Sequence, residues 1–139
     1  MLQLLLDTHV FLWALAEPKR LSIKAKNAIT KLENQVFVSP VTAYELSYKH
    51  RQGRLPAGAA IVSSFGRQLS HLYAAEIGIS ADHALAAGQL DWDHKDPFDR
   101  MLAAQAMVEG FTLVTADENI QAYGPVAPCG DPRHRPPAA

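Results

Sequence analysis

The chain is 139 residues long, the size of one ordinary domain. With 48% hydrophobic and 19% charged residues it can bury a core, which excludes a disordered, collagen-like or coiled-coil chain. A formal net charge of −1 excludes a global basic field drawing it to nucleic acid or anionic membrane, and a single cysteine, Cys129, excludes an internal disulfide or a thiolate zinc site.

The first six residues, MLQLLL, contain one polar residue, Gln3, and predict a strand buried on both faces, as in a parallel sheet. An apolar helix is predicted over 8–16, closed by Glu17-Pro18. Ala14-Leu15-Ala16 has the look of a signal-peptidase site, but no Lys or Arg precedes the apolar stretch and Asp7-Thr8-His9 divides it. No apolar run reaches the about 20 residues that a membrane span needs, so no membrane is implied and a cytoplasmic location is expected. Ser22 reads as the N-cap of a helix over 23–33, with Ile23, Ala25, Ala28, Ile29 and Leu32 as its inner stripe. Val36-Phe37-Val38 predicts a second strand, followed by Ser39-Pro40 and a helix from about 42 to 52. Helices are predicted over 57–72 and 80–90, with a short strand between them at 74–79. DWDHKDP (91–97) is a polar loop, 98–110 a helix with glycine past its end, and FTLVTAD (111–117) a strand leading into a loop. The domain is set at 1–125, and the proline-rich tail over 126–139 is expected to be irregular and at most partly ordered. Strands alternating with helices predict an α/β class with a central parallel sheet covered on both sides.

Four acids fall at corresponding places in this scheme. Asp7 follows the first strand, Glu45 lies inside the helix after the second, Asp99 is in the first turn of the 98–110 helix, and Asp117 closes the last strand. In an open parallel sheet, strand C-termini and the following helix N-termini share the edge where ligands bind, so four acids converge on one crevice. Two carboxylates about 4 Å apart repel by roughly 4 kcal/mol at an effective dielectric of 20, against about 0.3–1 kcal/mol offset by a helix dipole. Repulsion wins unless the acids are protonated or share a cation. Oxygen-only ligands select Mg²⁺ or Mn²⁺, and such an ion points to phosphoryl chemistry. Each acid also has a structural explanation. Thr42 as N-cap with Glu45 at N3 matches a capping box, Asp96-Pro97-Phe98-Asp99 matches the same device, and Asp117 fits a turn. Asp7, at the end of a buried strand, is the hardest to explain that way.

The segments LLLDTHVFLW (4–13), SPVTAYEL (39–46), HKDPFDRMLAAQA (94–106) and TLVTADENI (112–120) resemble, in order and spacing, the four acidic blocks of PIN-domain ribonucleases, nearest to the VapC-type toxins of bacterial toxin–antitoxin pairs. The resemblance spans about residues 2–123. It implies a three-layer α/β/α sandwich and a Mg²⁺- or Mn²⁺-dependent endoribonuclease that hydrolyses RNA phosphodiester bonds. Asp7, Glu45 and Asp99 match the core acids, and Asp117 the more variable fourth; all four are expected to hold metal and serve catalysis. Thr115 matches a hydroxyl residue that holds water or a neighbouring carboxylate. Thr8, Asp96 and Arg100 are expected beside the ligands or the substrate. A homodimer and a cognate antitoxin are implied as partners.

Other residues stay open at this level. His9 and His94 stand near the acidic edge, either in local hydrogen bonds or facing phosphate. The basic groups Lys19, Arg20, Lys24, Lys26, Lys31 and Lys49, His50, Arg51, Arg54 are solvated helix faces or a phosphate track. Arg100 either clamps a phosphate or pairs with an acid. Trp13 is expected in the core, whereas Tyr44 and Trp92 either pack or stack on a base. Two rivals remain: a non-catalytic PIN-like RNA-binding scaffold, which the presence of all four acids disfavours, and a Mg²⁺-dependent phosphatase of the haloacid dehalogenase type. The phosphatase needs a second acid where this chain has His9.

Overall fold

The computed structural model describes residues 1–56 and 58–123, together with the backbone of 128–129. Five parallel strands form one sheet in the order β3-β2-β1-β4-β5. In chain order they are β1 (Gln3–Leu6), β2 (Gln35–Val38), β3 (Ala74–Glu76), β4 (Thr112–Val114) and β5 (Pro128–Cys129). The helices are α1 (Thr8–Ala16), α2 (Ile23–Thr30), α3 (Pro40–Arg51), α4 (Gly58–Ser63), α5 (Phe65–His71), α6 (Ala81–Gln89), α7 (Pro97–Glu109) and α8 (Glu118–Gln121), with a 3₁₀ turn at Pro18–Arg20.

The leucine run of β1 explains the layering. Side chains alternate across a strand, so Leu4 and Leu6 enter one core and Leu5 the other. The first core takes Val10 and Phe11 of α1, Ala25 and Ile29 of α2, and Leu46, Ile61 and Leu69 from α3, α4 and α5. The second takes Leu102, Ala103 and Ala106 of α7, Leu113 of β4 and Ile120 of α8. The predicted three-layer α/β/α sandwich is therefore the observed one, with helices on both faces of a parallel sheet.

The order β2-β1-β4 makes β1 the point where the chain switches direction across the sheet. Leu6 is in register with Val38 on one side and Val114 on the other. The residues that follow these three, Asp7, Ser39 and Thr115, leave the sheet together at its carboxyl edge.

Several boundaries differ from the sequence reading. Ser39, not Thr42, caps α3: its hydroxyl accepts the Val41 N–H at 3.1 Å, and Pro40 occupies the first helical position. β2 ends at Val38, and proline's fixed φ starts the helix at once. The capping box of Thr42 with Glu45 does not exist, and Thr42 is fully buried inside the helix. The 57–72 helix is broken at Ser64 into α4 and α5, and the strand predicted over 74–79 is three residues long. Tyr73, at φ +52°, turns the chain between them. α2 stops at Thr30 rather than 33, so Leu32 leaves the helical phase and is 90% exposed; Ile23, at the first position, is exposed as well. Only Ala25, Ala28 and Ile29 of the predicted stripe pack inward. Trp13 is half-buried rather than core, with the Arg20 guanidinium 4.5 Å above its ring. Ser22 and Asp96 cap α2 and α7 as expected, and Gly110 ends α7 at φ +71°. The tail expected over 126–139 lies outside the described residues, apart from the backbone of Pro128–Cys129, which pairs with β4.

Candidate active site

Asp7 is the most constrained acid. Its own N–H continues the sheet by donating to Val114 O at 3.0 Å, and its side chain caps α1 by accepting the Val10 N–H at 2.8 Å. Its other oxygen accepts the Thr115 hydroxyl. Thr115 Oγ1 in turn accepts the Asp117 N–H at 2.9 Å, and Gln121 Nε2 holds Thr115 O at 2.7 Å. The result is a relay from the Asp117 backbone through a buried threonine to a carboxylate only 5% exposed. Burial pushes the Asp7 carboxyl up to about 6; the hydrogen bonds from Thr115 and Val10 oppose the rise, and the charges of Asp117 and Glu45 add to it.

Glu45 enters from the second turn of α3. Thr8 Oγ1 donates to its Oε1 at 2.8 Å, and the Thr8 and Thr42 hydroxyls are 3.2 Å apart. Both threonines are buried, so a short hydroxyl ladder between α1 and α3 fixes the carboxylate. Asp117 caps α8, accepting the N–H groups of Asn119 and Ile120.

Asp99 arrives on the first turn of α7. His94 Nε2 is 2.6 Å from its Oδ2. Burial pushes Asp99 up to about 6, opposed by the hydrogen bond from His94 and reinforced by the charges of Asp96 and Asp117. Asp96 is exposed and caps α7, with Oδ1 taking the Phe98 N–H at 2.9 Å and the Asp99 N–H at 3.3 Å. Arg100, left open between phosphate clamp and acid partner, does neither here. Its guanidinium donates to the carbonyls of Ala87, Leu90, Trp92 and His94 at 2.7–3.1 Å, which gathers the 90–96 loop over α7.

All four predicted acids thus come to the carboxyl edge and act on one another. Asp117 raises both Asp7 and Asp99, Glu45 raises Asp7, and His9 senses Glu45, Asp117 and Asp99 together. His9 is nonetheless pushed down, first by burial and then by Lys49, whose Nζ is 3.4 Å from its Nε2. Among the described residues, the one basic side chain in ion-pair contact with any of the four acids is His94. Mutually repelling oxygen ligands with so little fixed positive charge fit a hard divalent cation. A tighter trio also appears: His94, Asp96 and Asp99 offer ligand atoms within 4.8 Å of one another. Capping uses one Asp96 oxygen and His94 is hydrogen-bonded to Asp99, while the four acids also carry hydrogen bonds of their own and are less tightly gathered than the trio.

Sequence reasoning missed the His94–Asp99 contact, the Lys49–His9 contact and the place of Thr42. The two contacts join different elements, and Thr42 meets Thr8 across α1 and α3, so no periodicity reveals them. Trp92 is stacked on Tyr123 at 4.5 Å and sits 4.8 Å from the His94 ring, and it remains half-buried. No helix among the described residues is long and apolar enough to cross a membrane.

With this geometry in view, the sequence matches the PIN domain family over residues 4–124. It is 32% identical over 124 residues to Ribonuclease VapC22 of Mycobacterium tuberculosis, which covers 88% of this chain and 93% of that protein. Two solved structures share the fold. One is VapBC2 from Rickettsia felis bound to a DNA fragment from its promoter, with TM-score 0.71, 19% identity and coverage of 93% of this chain and 98% of that one. The other is a toxin–antitoxin complex from Klebsiella pneumoniae, with TM-score 0.63, 20% identity and coverage of 88% and 93%.

Proposed function

The chain belongs to the PIN domain family as a VapC-type member, and from that premise we propose that it is a divalent-metal-dependent endoribonuclease, the toxin of a toxin–antitoxin pair. The observation that carries the reading is the meeting of four carboxylates at one sheet edge, with Asp7 and Asp99 both pushed up to about 6. The ribonuclease name of the Mycobacterium relative supports RNA as substrate, and the two structural neighbours support an antitoxin partner. A homodimer and a cytoplasmic location belong to the same reading. The phosphatase alternative falls with the family assignment.

Asp7, Glu45, Asp99 and Asp117 would hold Mg²⁺ or Mn²⁺, which when bound supplies the charge that activates water and offsets the charge building on the phosphate. The chain's own part is orientation. The Thr115 hydroxyl and the Val10 N–H fix the two oxygens of Asp7, Thr8 fixes Glu45, and His94 fixes Asp99. Such partners set the direction in which a carboxylate presents its remaining lone pairs. No side chain at the edge need act as nucleophile.

The test is mapping of RNA 5′ ends after incubating total cellular RNA with purified protein in Mg²⁺, in Mn²⁺ and in EDTA, with Asp99→Asn as control. New 5′-phosphate ends that vanish in EDTA and with the variant are expected. Ends that persist at the wild-type rate in Asp99→Asn would remove that residue from the site. A folded, antitoxin-free protein that yields no ends in either metal would overturn the nuclease.

A further inference from the structure

We propose that Gln121 is a positioning residue for the divalent ion: its buried amide sets the turn from Thr115 to Asp117 and so aims the two sheet-edge carboxylates. This rests on the metal-dependent reading and adds a residue that touches none of the four acids through its side chain. Gln121 is 2% exposed. Its Nε2 donates to Thr115 O at 2.7 Å, and its own backbone N–H donates to Asp117 O at 3.0 Å. One residue thus grips both ends of the turn. Between those ends the Thr115 hydroxyl donates to Asp7 and accepts the Asp117 N–H. The helix that carries Gln121, α8, is four residues long, too short to hold its shape alone. Ile120, buried in the second core, anchors it by packing. Packing is not directional and a hydrogen bond is, so the orientation of the Thr115 peptide falls to Gln121.

Stability alone does not account for an amide at this position. The Oε1 of Gln121 is buried and has no hydrogen-bond partner among the described residues. An apolar side chain of the same length would leave Thr115 O unpaired in its place, so one buried acceptor goes unpaired either way. An unpaired buried acceptor costs at least as much as one net hydrogen bond contributes, and the fold gains little from the exchange. What differs is whether the Thr115 peptide is fixed. Gln105 repeats the arrangement away from that turn. It is fully buried, its Nε2 donates to Gly78 O at 3.3 Å, and its Oε1 is likewise unpartnered among the described residues. Gly78 lies between β3 and α6, in a segment that carries none of the four acids. Two buried glutamines, one tied to an acid-bearing turn and one not, separate positioning from packing.

The experiment titrates Mn²⁺ into the EDTA-stripped full chain, reading the free ion by electron paramagnetic resonance, beside the denaturation midpoint in EDTA and RNA cleavage. Gln121→Met keeps the length of the side chain and removes both polar atoms. It should weaken Mn²⁺ binding about tenfold and lower kcat at subsaturating Mn²⁺ with the RNA KM unchanged, while the midpoint stays near the wild-type value. Gln105→Met should bind Mn²⁺ as the wild type does. In Thr115→Val the contact with Asp7 is already cut, so adding Gln121→Met should weaken binding further by about twofold at most. Wild-type Mn²⁺ affinity in Gln121→Met, or an equal loss in Gln105→Met, would overturn the proposal and leave the nuclease standing. Should Gln121→Met fail to fold, Gln121→Asn, which draws the amide back by one carbon, takes its place with the same expected loss. Wild-type protein that binds no Mn²⁺ would overturn the metal reading and this one together.

Discussion

The site has two halves that meet the same charge problem differently. At the sheet edge, Asp7 and Asp117 hang from the ends of β1 and β4, tied by Asp7 N–H to Val114 O and by the relay through Thr115. In the loop half, Asp99 sits on the first turn of α7, and its partner His94 belongs to a segment whose carbonyls Arg100 collects. The first half is positioned by strand pairing and buried hydroxyls, the second by one guanidinium. Yet Asp7 and Asp99 are both pushed up to about 6. Hydrogen bonds of either kind fail to offset burial and like charge, and the divalent ion proposed above would relieve both halves.

The sharpest way to break the comparison is Asp7→Asn. It removes a charge and little volume, and asparagine is as good an N-cap as aspartate. RNA cleavage should fall to background in the 5′-end assay. Stability should move the other way. An acid raised from 3.8 to about 6 favours the folded state while protonated. That stability is fully present below the ordinary value and lost as pH rises through about 6. The gap corresponds to at most about 3 kcal/mol. In EDTA, the wild-type denaturation midpoint should drop between pH 4 and pH 7.5, and Asp7→Asn should drop less and be the more stable protein at pH 7.5. Saturating Mg²⁺ should restore the wild type by about 3 kcal/mol at a hundredfold excess over its dissociation constant, and the variant by much less. A wild-type midpoint that rises over that pH range in EDTA would contradict the burial argument.

Arg100→Ala attacks the loop half alone. It removes four hydrogen bonds from a charged donor to loop carbonyls, and should cost about 2 kcal/mol or more by denaturant titration. Cleavage should fall with it, because His94 loses its anchored carbonyl and Asp99 its fixed partner. Arg100→Lys should not rescue, since three ammonium donors cannot span four carbonyls that the planar fork reaches at once. Full activity in Arg100→Ala would show that the loop needs no gathering point.

How much of this was legible depends on whether the determinant lies along the chain or across it. The unbroken leucines of β1 announce a strand buried on both faces, and an acid at its end announces the site. Asp96-Pro97 and Ser22 mark helix starts because capping is local. Two caps competing three residues apart, Ser39 and Thr42, are not separable by pattern; the end of β2 decides between them. Leu32 was misread because periodicity does not say where a helix stops. Arg100 was undecidable because its partners are backbone carbonyls, which every residue carries, and His94, which meets Asp99, stands in the loop those contacts gather. In the loop half the sequence therefore places Asp99 and its cap but not the carbonyls that Arg100 collects or the contact of His94 with Asp99.

The smallest and most discriminating contrast sets Thr115→Val against His94→Gln. Each removes the side-chain partner of one acid while leaving the acid in place. Thr115→Val is nearly isosteric, but it cuts the relay at both ends, leaving an Asp7 oxygen and the Asp117 N–H without their partner. Asp7 should be pushed up further, and metal affinity, read by Mn²⁺ titration, should fall about 10- to 100-fold. His94→Gln replaces one donor with another that can still reach Asp99 from a less buried position, so about tenfold or less is expected. If the two losses were equal, the rigid sheet edge would hold no advantage over the loop. A larger loss in His94→Gln would go further: the imidazole would then be a ligand in its own right, and the trio of His94, Asp96 and Asp99 would replace the four-acid cradle as the place where the ion sits.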